Sequence, residues 1–210
     1  MRLLVVTAVG READACRSVP GAKVVTSGVG RTNAAIATTR AILEDGPFDA
    51  LVSAGVAGSL PGSDLSIGDI VIASSSIYFE EGLLAPDGFH DLTSMGFPLG
   101  DFEGNAVPGN PGLLEQVGPL GRHGPIATVG TCSGTDSAAE AVVGRTGAIA
   151  EAMEGAAVLH AGSAFGVPGL EVRAISNSTG DRDRQQWDLA LGVRALENVF
   201  SRLGQILGSA

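Results

Sequence analysis

The stretch Ala150-Glu-Ala-Met-Glu-Gly-Ala-Ala157, followed by Val172-Arg-Ala-Ile-Ser-Asn177, predicts a helix that leads into a buried strand. The first part is rich in small residues, which suits a helix packed closely on a sheet. The second part is apolar and ends in two polar residues. Since about one helix and one loop separate the two parts, we expect Glu154 on the helix and Asn177 at the strand end to lie near one site.

The same alternation of short apolar runs and helix-like segments extends over the rest of the chain. Candidate strands are residues 3–7, 22–25, 50–53, 70–74, 126–129 and 170–175. Candidate helices are residues 32–44, 112–117, 137–144, 151–165 and 188–207. This alternation predicts an α/β fold with a central, mostly parallel sheet covered by helices on both faces. Because the sequence contains no linker or repeat, we expect residues 1–210 to form a single domain.

Residues 78–112 depart from this pattern. They hold four of the seven Phe residues, together with many Gly and Pro residues. A long irregular segment inside a compact domain is usually functional or disordered. Its apolar content predicts a packed loop at the mouth of a pocket or at a subunit interface.

The composition argues against several kinds of partner. The formal net charge is −10 with only 13 Lys and Arg residues, so neither a nucleic acid nor an anionic membrane is an expected partner. The N-terminal apolar run is too short for a signal peptide, and the isolated Cys16 and Cys132 are expected to be free thiols of a cytoplasmic protein. His90, His123 and His160 are also isolated, so we expect no metal site and no cofactor.

Candidate ligand-binding residues follow three predicted strands, because ligands of open α/β sheets bind beyond the carboxyl ends of strands. Glu12 follows the first strand; taken alone, it is better explained as a first-turn helix acid that complements the helix dipole. The run Gly55-Val56-Ala57-Gly58 is either a binding loop or a place of close packing. Ser176 and Asn177 end the last strand.

Glu154 is the strongest single candidate, since its neighbours Met153, Gly155 and Val158 are apolar or small. A buried carboxylate needs a partner, and no Lys or Arg lies within one helical turn. A pair of ligand hydroxyl groups would provide that partner, and the alternative is a salt bridge to Arg173. Arg173 interrupts an apolar strand, which also favours a functional role.

Six short motifs run in a fixed order along nearly the whole chain. They are Thr7-Ala-Val-Gly-Arg-Glu12, Ser27-Gly-Val-Gly-Arg-Thr-Asn-Ala34, Ser53-Ala-Gly-Val-Ala-Gly58, Ile67-Gly-Asp-Ile-Val71, Ala152-Met-Glu154 and Val172-Arg-Ala-Ile-Ser176. As an ordered set they resemble the nucleoside phosphorylase/nucleosidase superfamily, in particular its methylthioadenosine/S-adenosylhomocysteine nucleosidase branch. The resemblance implies a nucleoside phosphorylase-like mixed sheet, a small-molecule nucleoside substrate and a homo-oligomer, either a dimer or a tetramer.

The resemblance also implies roles for individual residues. Glu12 matches the carboxylate that activates an attacking water, and Arg173 matches the group that supports this water and its carboxylate. Met153 matches a packing surface for the ribose, and Glu154 matches the acceptor for the ribose hydroxyls.

Two departures from the nucleosidase branch refine the expected substrate. The adenosine-specific members end the last strand in Ser-Asp, whereas this chain has Ser176-Asn177, which is similar to the 6-oxopurine phosphorylases. An asparagine can donate to O6 of a 6-oxopurine and accept from a protonated N7. Residues 50–54 contain no Arg that could bind phosphate, so water is the expected nucleophile. Together with a polar Arg-Asp loop at residues 181–184, these features resemble the futalosine hydrolase family, which releases hypoxanthine in menaquinone biosynthesis.

Several alternatives stay open at this point. The chain could be a methylthioadenosine/S-adenosylhomocysteine-type nucleosidase, an inosine-type purine nucleoside phosphorylase, or a non-catalytic nucleoside-binding protein. The branch usually presents a base-stacking aromatic after the strand at residues 126–129, but here the turn is Gly130-Thr-Cys-Ser-Gly134. A Phe from residues 78–102 or from a neighbouring subunit could replace it. Asp181, Arg182, Asp183 and Arg184 are either solvated ion pairs or supply an Arg for a substrate carboxylate.

Overall fold

The structure is a computed structural model that describes residues 1–207. Its strands are β1 (Leu3–Thr7), β2 (Lys23–Thr26), β3 (Ala50–Ser59), β4 (Ile70–Tyr78), β5 (Gly82–Ala85), β6 (Gly88–Asp91), β7 (Ala106–Pro108), β8 (Arg122–Thr128), β9 (Ala150–Ala152) and β10 (Gly169–Ser178). Its helices are α1 (Gly10–Cys16), α2 (Arg31–Asp45), α3 (Pro111–Val117), α4 (Asp136–Thr146), α5 (Gly155–Ala164) and α6 (Leu189–Leu207). Within residues 1–207, no helix combines the length and the apolar character needed to cross a bilayer.

Eight strands form one mixed sheet, in the order β10-β4-β8-β9-β3-β1-β2 with β7 paired to β4. Because β3 also pairs with β10, the strands β3, β10, β4, β8 and β9 close into a ring. The pairs β1–β2, β1–β3, β3–β10, β4–β8 and β8–β9 are parallel. The pairs β10–β4, β3–β9 and β4–β7 are antiparallel. The predicted mixed, mostly parallel sheet is therefore confirmed.

Helices cover both faces of this sheet, as predicted. On one face α1 and α6 pack on β1, β3 and β10, and Leu196, Phe200 and Leu203 of α6 are fully buried there. On the other face α2 and α5 pack together over Leu4 and Leu51. Complete burial of each such side chain contributes roughly 1.5–3 kcal/mol, so the two layers hold the sheet firmly on both sides.

The interpretation of residues 55–58 as a loop after a short strand is wrong. These residues continue β3, which pairs with β10 on one side and with β9 on the other. Neighbouring side chains need the space over the glycines: a Cβ on Gly55 would lie 2.5 Å from Nη1 of Arg173, and a Cβ on Gly58 would lie 2.9 Å from Nδ2 of Asn177. The two glycines therefore belong to a strand over which side chains of neighbouring elements lie.

The predicted helix at residues 151–165 begins later than expected. Residues Ala150–Ala152 form β9 between β3 and β8, and the helix starts at Gly155. Glu154 is therefore the N-cap residue of α5 and does not lie inside the helix. Pairing with two distant strands overrides the local helical preference of this small-residue segment.

Two other segments are more regular than the sequence indicated. Residues 78–112 contain the hairpin of β5 and β6 and the short strand β7, which pairs with β4. Helix α1 was not predicted, because its seven residues offer too few apolar positions to show a helical period. The remaining strands and helices agree with the prediction apart from shifts at their ends.

Candidate active site

A cavity of about 460 Å³ opens where β1, β3 and β10 end and where β9 leads into α5. Its volume falls in the usual range for a small-molecule site. Among the residues predicted to act or bind, those that line it are Glu12, Val56, Ala57, Gly58, Met153, Glu154, Ser176 and Asn177. Gly55 and Arg173 do not line the cavity themselves. Arg173 contacts the lining residues Glu154 and Val56. The predicted site residues thus converge on one cavity.

Glu12 occupies the third position of α1, and its carboxylate is held by backbone N–H groups. Its Oε2 accepts from Ala8 and Val9 at 3.0 and 3.1 Å, and its Oε1 accepts from Val56 at 2.9 Å. The bond from Val9 satisfies the backbone N–H of the N-cap residue of the helix. The side chain is 4% exposed, so it presents a fixed carboxylate at the cavity wall.

Arg173 sits in the middle of β10 and is surrounded by acceptors. Its Nε donates to Glu171 at 2.8 Å, and its Nη2 lies 3.3 Å from Oε2 of Glu154 and 3.2 Å from Oγ of Ser53. Burial alone would lower the pKa of Arg173, but the carboxylates of Glu171, Glu154 and Glu12 outweigh it and raise that pKa. The guanidinium therefore stays charged and fixes the carboxylates around it.

Glu171 and Gly155 support this arrangement from inside the core. Glu171 is fully buried and also accepts a hydrogen bond from the hydroxyl of Ser76. A Cβ on Gly155 would lie 2.0 Å from Oε2 of Glu171, so only glycine leaves room for this carboxylate at the start of α5. Reasoning from sequence missed Glu171, although two charged residues at positions 171 and 173 of an apolar strand could have indicated it.

Glu154 is satisfied within the protein on both carboxylate oxygens. Its Oε1 accepts from the backbone N–H of Gly30 at 3.0 Å, and its Oε2 faces Arg173. The salt bridge considered as the alternative explanation of Glu154 is therefore present. Glu154 still lines the cavity beside Met153, so the ion pair positions this carboxylate without removing it from a ligand.

Gly55 is the point where the two catalytic candidates approach each other. A Cβ there would lie 2.5 Å from Nη1 of Arg173 and 2.6 Å from Oε1 of Glu12. Both charged groups therefore reach across the bare backbone of β3. Any larger residue at this position would push them apart.

Asn177 lines the cavity and follows an irregularity in the pairing of β10 with β3. The register with β3 shifts between Ile175 and Asn177, and β-bulges redirect side chains beside active sites. Oδ1 of Asn177 accepts from Oγ of Ser176 at 2.9 Å, and Nδ2 donates to the carbonyl of Ser178 at 3.0 Å. By the hydrogen-bonding capacity of an amide, a second N–H and a second lone pair are left for a ligand.

Glu151 is a further carboxylate in the cavity, and it was not among the residues predicted to act or bind. It is 5% exposed, and its two oxygens accept from the backbone N–H and the hydroxyl of Ser133 at 2.8 and 2.6 Å. Desolvation by burial raises the pKa of Glu151, although the bonds from Ser133 act in the opposite direction. In the register of the sheet, Gly58 lies between Glu151 of β9 and Asn177 of β10. Reasoning from sequence missed Glu151 because β9 itself was not predicted.

The Arg-Asp loop after β10 contains two arginines with different surroundings. Arg184 forms ion pairs with Asp136 and Asp181, both exposed, which is the solvated arrangement considered above. Arg182 lines the cavity, and its guanidinium lies 4.7 Å from the ring centre of Trp187. Asp188 accepts from the N–H of Leu191 at 2.8 Å and caps α6, a role that none of residues 181–184 performs.

Two features define the class of this protein. One is the closed mixed sheet with helices on both faces, and the other is the cavity at the strand ends, with its carboxylates held by Arg173. A sequence model of the Phosphorylase superfamily matches residues 21–208. The S. pneumoniae 5'-methylthioadenosine/S-adenosylhomocysteine nucleosidase has the same fold, with a TM-score of 0.79, 20% identity, and coverage of 99% of this chain and 100% of that one.

Sequence similarity narrows this class. The chain is 34% identical to the futalosine hydrolase of Streptomyces coelicolor, over 100% of this chain and 97% of the relative. It is 36% identical to the futalosine hydrolase of Thermus thermophilus, over 84% of this chain and 78% of the relative. The chain therefore belongs to the phosphorylase superfamily and, within it, to the futalosine hydrolase family.

Proposed function

We propose that this protein hydrolyses the N-glycosidic bond of futalosine, releasing hypoxanthine and leaving dehypoxanthine futalosine, as a step of menaquinone biosynthesis. The observation that carries the proposal is the placement of Asn177, an amide with a spare donor and a spare acceptor, in one cavity with Glu12 and Glu154. The similarity to two futalosine hydrolases over most of the chain supports the same substrate.

Glu12 is the proposed general base. Breaking an N-glycosidic bond passes through an oxocarbenium-like sugar, and the attacking water must lose a proton as it adds. The three N–H donors hold the Glu12 carboxylate in one position, where it can take that proton. Arg173 holds Glu154 and contacts the carbonyl of Val56 at 3.5 Å, so it supports the wall on which the water would lie.

Glu154 and Met153 are the proposed ribose-binding residues. A carboxylate accepts hydrogen bonds from a pair of sugar hydroxyls, while Met153 offers an apolar surface beside it. The buried cluster holds three carboxylates, Glu12, Glu154 and Glu171, against one guanidinium. This excess of negative groups favours the positive charge that develops on the sugar.

Asn177 is proposed to receive the leaving base. Its spare N–H can donate to O6 of hypoxanthine, and its spare lone pair can accept from N7 once that atom carries a proton. The base then leaves as a neutral molecule. Gly55, Val56, Ala57, Gly58 and Ser176 are proposed to shape the floor beneath the nucleoside.

Water, and not phosphate, is the proposed nucleophile. Among the described residues that line the cavity, Arg182 is the only cationic side chain, and it lies on the loop beside Asn177. Arg173 is already surrounded by carboxylates. A phosphate dianion would therefore lack a cationic partner near Glu12.

A substrate panel tests this proposal. Futalosine, inosine and methylthioadenosine are incubated with the protein, each with and without phosphate, and base release is followed by chromatography. We expect fast hypoxanthine release from futalosine that does not depend on phosphate. A matched Glu12→Gln variant keeps the shape but cannot accept the proton, so hydrolysis should fall by about 10²–10⁴ while hypoxanthine still binds. Preferential release of adenine from methylthioadenosine, or release that requires phosphate, would contradict the proposal.

A further inference from the structure

The reaction proposed above leaves one proton without a source. Hypoxanthine leaves as a neutral molecule only if N7 gains a proton while the glycosidic bond breaks. Asn177 lines the cavity, and its amide can accept a hydrogen bond from a protonated N7. An amide is not an acid, however, and it does not give up a proton at neutral pH. Another titratable group of the cavity is needed to supply it.

Most titratable side chains of the cavity already have another part. Among the described lining residues they are Glu12, Cys132, Glu151, Glu154 and Arg182. The proposed part of Glu12 is to take a proton, and Glu154 forms an ion pair with Arg173. A guanidinium does not deprotonate in a protein. Cys132 is exposed, and a thiol is only a weak hydrogen-bond donor. Glu151 is therefore the best candidate that remains.

The sheet places Glu151 and Asn177 on either side of a glycine. Glu151 of β9 pairs with Gly58 of β3, and Gly58 pairs in turn with Asn177 of β10. A Cβ on Gly58 would lie 2.9 Å from Nδ2 of Asn177, so the amide leans over Gly58 toward β9. Since Glu151 and Asn177 both line the cavity, a base bound to the amide has the Glu151 carboxyl beside it. Proton transfer at such a site runs directly or through one water.

The surroundings of Glu151 favour its protonated form. Desolvation by burial raises the pKa of Glu151 and the charge of Glu80 raises it further, against the two hydrogen bonds from Ser133. The hydroxyl of Ser133 can accept as well as donate, so its 2.6 Å contact with Oε2 suits a protonated carboxyl too. Gln185 donates to the carbonyl of Ser133 at 2.9 Å and holds this partner in place.

We propose that Glu151 is the general acid of this site and gives its proton to N7 of the leaving purine. This rests on the proposed function in one respect, which is that a purine nucleoside loses its base to water in this cavity. The C–N bond breaks and its electron pair goes to the base, while N7 takes the proton of Glu151. Water forms the new C–O bond and loses a proton to Glu12. Glu12 then returns its proton to the solvent, and Glu151 takes one up.

The variant Glu151→Gln tests this role. Glutamine keeps the shape, and its amide can still accept from the N–H of Ser133 and donate to the hydroxyl, but it has no acidic proton. We expect kcat for hypoxanthine release from futalosine to fall by about 10²–10⁴, with the Kd of hypoxanthine little changed and with partial recovery in Glu151→Asp. Glu140→Gln is the matched control, because Glu140 is exposed on α4 and lies outside the cavity lining. It should be fully active.

The pH profile separates proton donation from a structural effect. A general acid acts while it is protonated, so wild-type kcat/KM should fall as pH rises through the raised pKa of Glu151. Glu151→Gln should lose this alkaline limb and keep the acidic one. The other charged or titratable groups around Glu151 are Glu80, Cys132, Glu12, Glu154 and Arg182. Of these, the Cys132 thiol also titrates on the alkaline side, and Cys132→Ser should keep the limb.

A substrate methylated at N7 removes the need for an acid. Its purine already carries a positive charge, so the base leaves neutral without gaining a proton. We expect Glu151→Gln to cleave N7-methylated futalosine with a loss of less than about tenfold relative to the wild type, against the much larger loss on futalosine. Equal losses on the two substrates would show a structural effect and would overturn the proposal.

Three other results would also overturn it: wild-type turnover of futalosine by Glu151→Gln, an alkaline limb that persists in Glu151→Gln, and a limb that disappears in Cys132→Ser. Infrared difference spectra of the wild type and Glu151→Gln test the acid without turnover. We expect a neutral carboxyl band at pH values where exposed carboxyl groups are ionised. If futalosine is cleaved but this band is absent, the acid fails and the function stands. If the band is present and only another purine nucleoside is cleaved, with the same loss in Glu151→Gln, the acid stands and the function fails.

Discussion

At the scale of single residues, Asn177 offers the sharpest test of base recognition. Its Asn177→Asp variant replaces a donor by an acceptor, so O6 of hypoxanthine would face a carboxylate, while the amino group of adenine would meet an acceptor. Hydrogen-bonding sites can reject a mismatched analogue by about 10⁴, and one substitution recovers part of that factor. We expect the ratio of kcat/KM for futalosine to that for its 6-amino counterpart to fall by at least about tenfold.

The same substitution has a structural cost that needs a control. An Asp at 177 would place an acceptor against the carbonyl of Ser178, to which Asn177 now donates. Asn177→Ala removes both polar atoms and should lower kcat/KM for the two substrates together. A ratio that is the same in the wild type and in Asn177→Asp would show that Asn177 does not distinguish the bases.

Cys132 lines the cavity and provides a pH-dependent probe of it. Desolvation by burial raises the pKa of Cys132, and the carboxylates of Glu151 and Glu154 raise it further. Only the thiolate reacts with iodoacetamide, so a raised pKa means slow alkylation at neutral pH and a rate that climbs only above the ordinary thiol range. Mass spectrometry of the intact protein measures this rate, which hypoxanthine should slow.

Cys132→Ser is the control for the alkylation experiment, because the other thiol, Cys16, is fully buried. We expect no modification of that variant under native conditions. Alkylation of the wild-type protein that is already fast at pH 7 would contradict the environment described for Cys132.

Some residues of the site could be identified from the sequence, and others could not. Arg173 and Asn177 were found because a charged or polar residue in the middle or at the end of an apolar strand is conspicuous, whereas the role of Glu12 came from the family resemblance. Glu151 was missed because its position depends on β9, a strand of three residues whose pairing partners are distant in sequence. Trp187 was not considered, because only its backbone bridge to Asn177 and its place in the cavity lining show that it belongs to the site.

At the scale of elements, Gly55 of β3 leaves the space in which Glu12 and Arg173, two of the proposed catalytic residues, approach each other. Gly55→Ala would place a methyl group against the Arg173 guanidinium and the Glu12 carboxylate. Overpacking of this kind costs typically about 1–3 kcal/mol, and we expect both a lower free energy of unfolding and a large loss of kcat. Chemical denaturation and the hypoxanthine-release assay measure the two effects.

Gly144→Ala is the matched control for Gly55→Ala. Gly144 lies inside α4, where an added Cβ meets nothing within 4 Å. Alanine is a better helix former than glycine by roughly 1 kcal/mol, so this variant should be at least as stable as the wild type and fully active. Equal behaviour of the two alanine variants would refute the role assigned to Gly55.

The elements also show which parts of a fold are visible in a sequence. Strands β1, β4 and β10 and helices α2 and α6 were predicted, because their apolar residues recur with a clear period over enough positions. The second half of β3 was predicted as a loop because of its glycines. In the structure these glycines leave space for side chains of β10 and α1 that lie over the strand. The start of α5 was placed too early because small residues suit both a helix and a buried strand.

At the scale of the whole molecule, the segment from β5 to residue 102 predicts self-association. Its side chains Leu83, Leu84, Met95 and Phe97 are 48%, 73%, 39% and 68% exposed. Large apolar side chains left exposed along one segment favour an interface there. We expect light scattering at micromolar concentration to show a homo-oligomer, at least a dimer, and Leu84→Lys to shift it toward the monomer. A wild-type protein that is only monomeric would refute this prediction.

We propose that this cavity uses water to release hypoxanthine from futalosine. The most direct measurement is a reaction in water enriched in heavy oxygen, with phosphate present, followed by mass spectrometry of both products. We predict free hypoxanthine and a dehypoxanthine futalosine that carries one heavy oxygen atom, with no sugar phosphate formed. A sugar phosphate without the label, or futalosine left intact while methylthioadenosine is cleaved, would contradict the assignment of Glu12 and Asn177.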